Sequence, residues 1–135
     1  MLVIDASFAV AALIDSGNDG AWALKLLASG PLAAPHLMHA EAANILRRAA
    51  LSGQISADAA ALAHADLLAL RIELFPYSPF APRIWELRGN LTAYDAWYVA
   101  VAEALDARLA TLDARLARAN GPRCGFETPR ATSTN

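Results

Sequence analysis

The sequence predicts an α/β fold in which helices cover a central parallel sheet of about five short strands. Short apolar segments alternate with segments of helical periodicity, as in chains whose parallel strands are joined by helices. The apolar segments contain few polar residues, which is typical of strands buried on both faces. Hydrophobic residues make up 56% of the 135 residues, enough for a sizeable core. We therefore expect one domain over residues 1–135, with the last few residues as a flexible tail.

Each predicted element follows from a local pattern. The apolar runs predict strands at residues 2–4, 32–34, 72–75, 108–112 and 124–128. Apolar periodicity predicts helices over residues 6–15, 21–28, 35–51, 56–70, 80–88 and 92–106, with a last helix from residue 113. Pro35 suits a first helical turn, whereas Ser56 and Thr92 are capping types, and Ser7 is a possible cap of the first helix. Residues 17–20 predict a turn.

Composition argues against several classes of protein. No apolar run reaches the roughly 18 residues of a membrane-spanning helix, and the N-terminus lacks the basic segment of a secretion signal. The single cysteine, Cys124, cannot form an internal disulfide, which fits a reducing compartment. The net charge of −2 provides no overall positive field for nucleic acid. We expect a cytoplasmic protein that does not enter a membrane.

Four of the 13 acidic residues stand in unusual positions. Asp5 and Asp113 each follow an apolar strand, and the carboxyl ends of parallel strands meet at one edge of a sheet. Glu41 lies on a largely apolar helical surface, and Asp95 lies in a first helical turn among apolar residues. Each position also has a simpler interpretation. Asp5 and Asp113 can cap helices, Asp95 can form a capping box with Thr92, and Glu41 can reach water at the edge of the core.

Taken together, the four acids indicate a site for a hard cation. An all-oxygen cluster suits Mg²⁺ or Mn²⁺ rather than zinc, and His36, His39 and His64 lack the spacing of a zinc site. A bound divalent ion can activate water and stabilise charge on phosphoryl oxygens, which favours hydrolysis of a phosphodiester. The sequence contains no glycine-rich phosphate loop and no serine-nucleophile motif, so water is the expected nucleophile.

Four segments resemble, in order and spacing, the PIN-domain ribonucleases, and among them most closely the VapC toxins of bacterial VapBC toxin–antitoxin pairs. They are VIDAS at 3–7, PHLMHAEAANILRRA at 35–49, LTAYDAWYVAVAEAL at 91–105 and LATLD at 109–113. The resemblance spans nearly the whole chain. It implies a PIN-like three-layer sandwich and a Mg²⁺- or Mn²⁺-dependent endoribonuclease. The catalytic and metal-binding acids would be Asp5, Glu41, Asp95 and Asp113.

The resemblance also implies supporting residues and partners. Ser7 and Thr111 fall on the hydroxyl positions beside the acids, and we infer a similar role for Asn44, one turn beyond Glu41. The implied partners are an RNA substrate (transfer or ribosomal RNA), a VapB-type antitoxin that reaches the acidic site with a basic side chain, and a second copy in a homodimer. Arginines near the acids are candidates for contacts with RNA phosphates: Arg47, Arg48, Arg88, Arg115 and Arg118.

Two alternative functions follow from the same residues. The acidic pocket could dock a basic peptide in a catalytically silent PIN-like module, and metal-dependent RNA cleavage would discriminate between the two. A signalling receiver would need an acidic pair near the first strand and a lysine late in the chain, but the only lysine is Lys25. Large aromatic residues are interpreted as core or dimer-interface residues: Phe8, Trp22, Trp85, Trp97 and Tyr98.

Overall fold

The computed structural model describes residues 1–129, which form five strands and seven α-helices. The strands are β1 (Leu2–Ile4), β2 (Leu32–Pro35), β3 (Ile72–Phe75), β4 (Arg108–Ala110) and β5 (Phe126–Glu127). The helices are α1 (Ala6–Ile14), α2 (Asn18–Leu27), α3 (Met38–Leu51), α4 (Ala57–Ala69), α5 (Ala81–Glu86), α6 (Ala93–Ala104) and α7 (Ala114–Ala117), with a 3-10 turn at Ser78–Phe80. The predicted α/β class is confirmed, whereas the predicted tail lies mainly outside the described residues.

All five strands are parallel, in the order β3-β2-β1-β4-β5. The chain runs outward from β1 through β2 to β3, and then returns to the other side of β1 as β4 and β5. Ile4 of β1 pairs with Ala110 of β4, so these two strands end side by side. The strand order reverses between β1 and β4, and in open α/β sheets ligands bind outside the carboxyl ends of the strands at such a point.

Helices cover both faces of the central strands. Val3, Ile4, Ala33 and Leu109 are completely buried, which requires cover above and below the sheet. Helix α6 packs on β1, β2 and β4 and carries α5 against it, whereas α1 packs with α2, α3 and α4. The predicted three-layer arrangement is therefore confirmed. Within residues 1–129, no helix combines the length and the apolar character needed to cross a bilayer.

The predicted turn at residues 17–20 is wrong, because α2 already begins at Asn18. Gly20 lies inside this helix, directly against the end of α1. A Cβ atom on Gly20 would lie 1.8 Å from the carbonyl oxygen of Asp15, so only glycine permits this approach. A glycine that suggests a turn in the sequence is here required by helix packing.

Pro35 was expected to begin a helix, but it ends β2 and pairs with Phe75. The next residue, His36, donates its N–H to the Phe75 carbonyl at 3.0 Å, so the hydrogen bonding to β3 continues past the proline. Strand β1 pairs with β2 only as far as Ala33, so Pro35 lies beyond the paired part on that side, where proline is tolerated. Helix α3 therefore begins at Met38.

The strand predicted over residues 108–112 ends at Ala110. Thr111 still donates its N–H to the Glu127 carbonyl at 3.0 Å, but the next two N–H groups bond to side chains. Leu112 donates its N–H to Ser7 Oγ at 3.1 Å, and Asp113 donates its N–H to Thr111 Oγ1 at 2.9 Å. The last predicted helix and strand are likewise shorter than expected, as α7 and β5 have only four and two residues. Ser56 and Thr92 do cap α4 and α6, as predicted.

Candidate active site

The four acids singled out in the sequence line one cavity of about 250 Å³. They come from four parts of the chain: the residue after β1, the first turn of α3, the first turn of α6 and the residue before α7. The cavity lies where β1 and β4 end side by side, at the reversal of strand order. It is lined by Asp5, Ala6, Ser7, Glu41, Asn44, Ile45, Arg48, Asp95, Tyr98 and Asp113.

Asp5 is the most buried of the four acids, with 8% of its surface exposed. Its Oδ1 accepts hydrogen bonds from the Phe8 N–H at 2.9 Å and the Ser7 hydroxyl at 2.7 Å, and its Oδ2 accepts one from the Thr111 hydroxyl. Asp5, rather than Ser7, is thus the N-cap of α1. Burial raises the pKa of Asp5, whereas the three hydrogen bonds oppose this rise. The carboxylate is therefore held in one orientation.

The hydroxyl groups of Ser7 and Thr111 join the end of β1 to the end of β4. Thr111 is completely buried; it donates to Asp5 and accepts from the N–H of Asp113 at 2.9 Å. Ser7 also donates to Asp5, and it accepts from the N–H of Leu112 at 3.1 Å. Both hydroxyls thus contact Asp5. Each of them also accepts a backbone N–H, so each is satisfied as a donor and as an acceptor.

Asp113 both caps a helix and lines the cavity. Its Oδ1 accepts from the N–H groups of Arg115 at 2.9 Å and Leu116 at 3.2 Å, at the start of α7. The two interpretations that the sequence left open for Asp113, and likewise for Asp5, are therefore compatible.

Asp95 and Glu41 are half-buried acids on two different helices. Thr92 caps α6 and accepts the Asp95 N–H at 3.2 Å, whereas the Asp95 carboxylate accepts no hydrogen bond from residues 1–129. Glu41 Oε1 accepts a hydrogen bond from the Tyr98 hydroxyl at 2.5 Å. Burial raises the pKa of both acids. The negative charge of Asp113 adds to the rise for Asp95, and the Arg115 guanidinium opposes it.

The donor atoms fit a hydrated hard cation better than a closed metal cage. Within residues 1–129, no group of three or more His, Cys, Asp and Glu side chains is arranged as it stands to hold a metal ion. Magnesium, however, keeps several waters and often takes only one or two carboxylates directly. At about 30 Å³ per water, a cavity of about 250 Å³ has room for an ion with its waters. The carboxylate oxygens of the four acids and their negative charge therefore suit a hard cation such as Mg²⁺ or Mn²⁺.

We expect the metal-free protein to lose stability as the pH rises. Asp5, Glu41 and Asp95 have pKa values above their ordinary values of 3.8, 4.5 and 3.8, so the folded state holds protons that the unfolded state releases. The contribution of these protons to stability is then complete below those ordinary values, and it is lost as the pH rises through the raised ones. The melting temperatures of the EDTA-treated parent and of EDTA-treated Asp95→Asn can be measured from about pH 5 to about pH 8. We expect the melting temperature of the parent to decline more steeply with pH. Parallel curves would contradict the prediction.

The structure separates the five candidate arginines. Arg48 lines the acidic cavity, and Arg115 lies close enough to Asp95 to affect its pKa. Arg88 is engaged elsewhere, with its guanidinium 4.7 Å from the centre of the Trp85 ring and a hydrogen bond to the Trp85 carbonyl at 2.8 Å. The other two arginines are exposed and are not part of the cavity lining: Arg47 and Arg118.

Sequence reasoning assigned Tyr98 to the core or an interface and missed its contact with an acid. Tyr98 is indeed buried, but its hydroxyl reaches Glu41 at the cavity wall. The available signal was its position three residues after Asp95, which places both side chains on the same face of a helix. Asn44, one turn beyond Glu41, lines the cavity, but its side chain makes no hydrogen bond within residues 1–129, so its supporting role stays a prediction.

An apolar groove of about 580 Å³ adjoins the acidic cavity. It runs between α1 and α3, and apolar residues such as Val10, Ile14 and Ile55 line it. Ser7, Ile45 and Arg48 border both spaces, so the groove opens directly towards the acids. The groove could not be predicted from the sequence, because its walls come from residues that are far apart in the chain.

The chain matches a known family of proteins. A family profile described as the PIN domain matches residues 2–122. Ribonuclease VapC1 of Mycobacterium tuberculosis is 43% identical over 129 residues, which cover 95% of this chain and 97% of the relative. The crystal structure of PAE2754 from Pyrobaculum aerophilum superposes with a TM-score of 0.70 at 27% identity, covering 93% of this chain and 81% of the other. A chain in the structure of VapBC2 from Rickettsia felis bound to a DNA fragment from their promoter shares the fold, with a TM-score of 0.64 at 15% identity and 94% and 97% of the two chains covered.

Proposed function

Because this chain belongs to the PIN-domain family and, within it, to the VapC ribonucleases, we propose that it is a metal-dependent endoribonuclease, the toxin of a VapBC pair. The observation that carries the proposal is the single cavity into which Asp5, Glu41, Asp95 and Asp113 bring four carboxylates. Such a cavity has no evident structural purpose, because burying mutually repelling acids lowers stability unless a cation compensates them.

The four acids have two roles in the proposed reaction. Mg²⁺ or Mn²⁺, when bound, supplies a water of lowered pKa and positive charge for the phosphoryl oxygens of RNA. Asp5 is a rigid support, because three hydrogen bonds fix it before any ion arrives. Glu41, Asp95 and Asp113 provide the remaining oxygens that would hold the ion and its waters. No side chain needs to attack the phosphate, so the nucleophile is water.

The direct test is RNA cleavage by the purified protein, first with EDTA and then with Mg²⁺ or Mn²⁺ added back. We expect no cleavage in EDTA and recovery with either ion, because the uncompensated acids repel both the attacking hydroxide and the RNA phosphate. Internal cuts in a circular RNA substrate would identify an endonuclease. Binding of a basic peptide without cleavage under any of these conditions would favour the silent docking module instead.

Arg48 and Arg115 are the proposed phosphate contacts, because both lie beside the acids. In an Asp95→Asn background, which prevents cleavage, Arg48→Ala should weaken RNA binding and lower the slope of log affinity against log salt by about one. Arg47→Ala is the matched control, since Arg47 is the adjacent exposed arginine and does not line the cavity. Fluorescence anisotropy over a range of salt concentrations measures both slopes. Equal slopes for the two variants would mean that Arg48 does not contact an RNA phosphate.

The proposed antitoxin is a VapB-type protein with an apolar segment followed by a basic side chain. The apolar groove between α1 and α3 suits the segment, and the adjoining acidic cavity suits the basic group. A guanidinium there would compensate the acids in place of the metal ion and block the site.

We also propose that the protein acts in the cytoplasm, which fits its single cysteine. We propose further that it forms a homodimer. Trp85, which is 65% exposed, is of the type that packs in such an interface.

A further inference from the structure

Tyr98 carries a polar group for which the assignment of the four acids gives no role. Its side chain is almost completely buried, with 2% of the residue exposed, but its hydroxyl reaches the wall of the acidic cavity. There it donates a hydrogen bond of 2.5 Å to Glu41 Oε1. The two residues are 57 positions apart, so this bond joins α6 to α3 directly at the site.

The hydroxyl of Tyr98 is the only hydrogen-bond donor to the Glu41 carboxylate among residues 1–129. Asp5, in contrast, accepts three hydrogen bonds and would keep its orientation if one were lost. A glutamate side chain has more rotatable bonds than an aspartate, so it gains more conformational freedom when nothing holds it. With Oε1 bonded to Tyr98, Oε2 accepts no hydrogen bond within the described residues and is the oxygen available to a cation or its water.

The location of Tyr98 on α6 connects two of the acids. Asp95 lies three residues earlier, on the same side of the helix and in the same cavity. Helix α6 therefore presents one acid itself and holds a second acid on α3. We propose that Tyr98 is a positioning residue that fixes Glu41 in its cation-binding orientation, an inference that rests on the proposed function.

Tyr98→Phe removes only the hydroxyl and keeps the buried ring. We expect the variant to bind Mn²⁺ about tenfold more weakly, since loss of a residue that orients a metal ligand typically costs 10–100-fold in affinity or activity. Electron paramagnetic resonance of free Mn²⁺ measures this without RNA and without catalysis. Tyr94→Phe is the control, because Tyr94 lies on the same helix but is 60% exposed and is not part of the cavity lining. Affinity equal to that of the parent would overturn the proposal.

A double-mutant cycle separates positioning from a general structural role. If Tyr98 acts through Glu41, Tyr98→Phe should weaken Mn²⁺ binding in the parent but have no further effect in a Glu41→Ala background. An equal loss in both backgrounds would show that the hydroxyl acts on something other than Glu41. The proposed function fails separately: if Asp95→Ala binds Mn²⁺ and cleaves RNA like the parent, the site assignment is wrong, whatever Tyr98→Phe does.

Discussion

Asp95→Asn is expected to reduce RNA cleavage by more than about 100-fold, because removing a residue that only supports a metal ligand already costs about 10–100-fold. The substitution keeps the size of the side chain, and the backbone N–H of residue 95 can still donate its hydrogen bond to the Thr92 hydroxyl. It also removes one of several half-buried charges that repel each other, so the free energy of unfolding of the metal-free protein should not fall. Cleavage rates and thermal melts of the two proteins test both parts.

Asp58→Asn is the matched control for this substitution. Asp58 also lies in the first turn of a helix, α4, but it is exposed and is not part of the cavity lining. We expect it to cleave RNA at the rate of the parent. Comparable activity in Asp95→Asn and the parent would mean that the half-buried acid of α6 has no part in catalysis, and the assignment of the site would fall with it.

Thr111→Val is expected to destabilise the protein by about 1–3 kcal/mol, the cost of leaving buried polar groups without hydrogen bonds. Valine matches the shape of threonine but cannot donate to Asp5 Oδ2 or accept the N–H of Asp113. Both groups lie at the junction of β1 and β4, where little solvent can replace the lost bonds. Cleavage should also fall, because Asp5 loses one of the three donors that orient it. Chemical denaturation with fluorescence detection gives the free energy of unfolding.

Thr111→Ser distinguishes the hydroxyl from the methyl group. Serine keeps both hydrogen bonds and removes one buried methyl, which costs about 1 kcal/mol. We expect Thr111→Ser to retain most of the cleavage activity, whereas Thr111→Val does not. If both variants lose the same activity, the packing of Thr111 rather than its hydrogen bonds supports the site.

The fold could be predicted from the sequence where local signals and burial agree. The run at residues 2–4 is apolar and is followed directly by an acid, so both its strand character and the position of Asp5 at the strand end were predictable. Ser56 and Thr92 marked helix starts, because a hydroxyl that accepts a backbone N–H is a local interaction. The helix start predicted at Pro35 and the turn predicted at Gly20 were wrong, because the roles of these residues depend on strand pairing and helix packing with other segments.

The site was predictable residue by residue but not as a geometry. The four acids stood out because acids are unexpected after buried strands and on apolar helix faces. Their hydrogen bonds could not be derived from the sequence, because Asp5 meets Thr111 across 106 positions and Glu41 meets Tyr98 across 57. The apolar groove shows the same limit, since helical periodicity marks the buried residues but not the space left between two helices.

Anomalous diffraction from crystals containing Mn²⁺ would show whether a divalent cation occupies the cavity between the four acids. We expect a manganese peak in the cavity lined by Asp5, Glu41, Asp95 and Asp113, and no such peak in crystals of Asp95→Asn. A manganese ion bound elsewhere, or an empty cavity in crystals of a protein that cleaves RNA only with Mn²⁺, would mean that the four acids do not form the metal site.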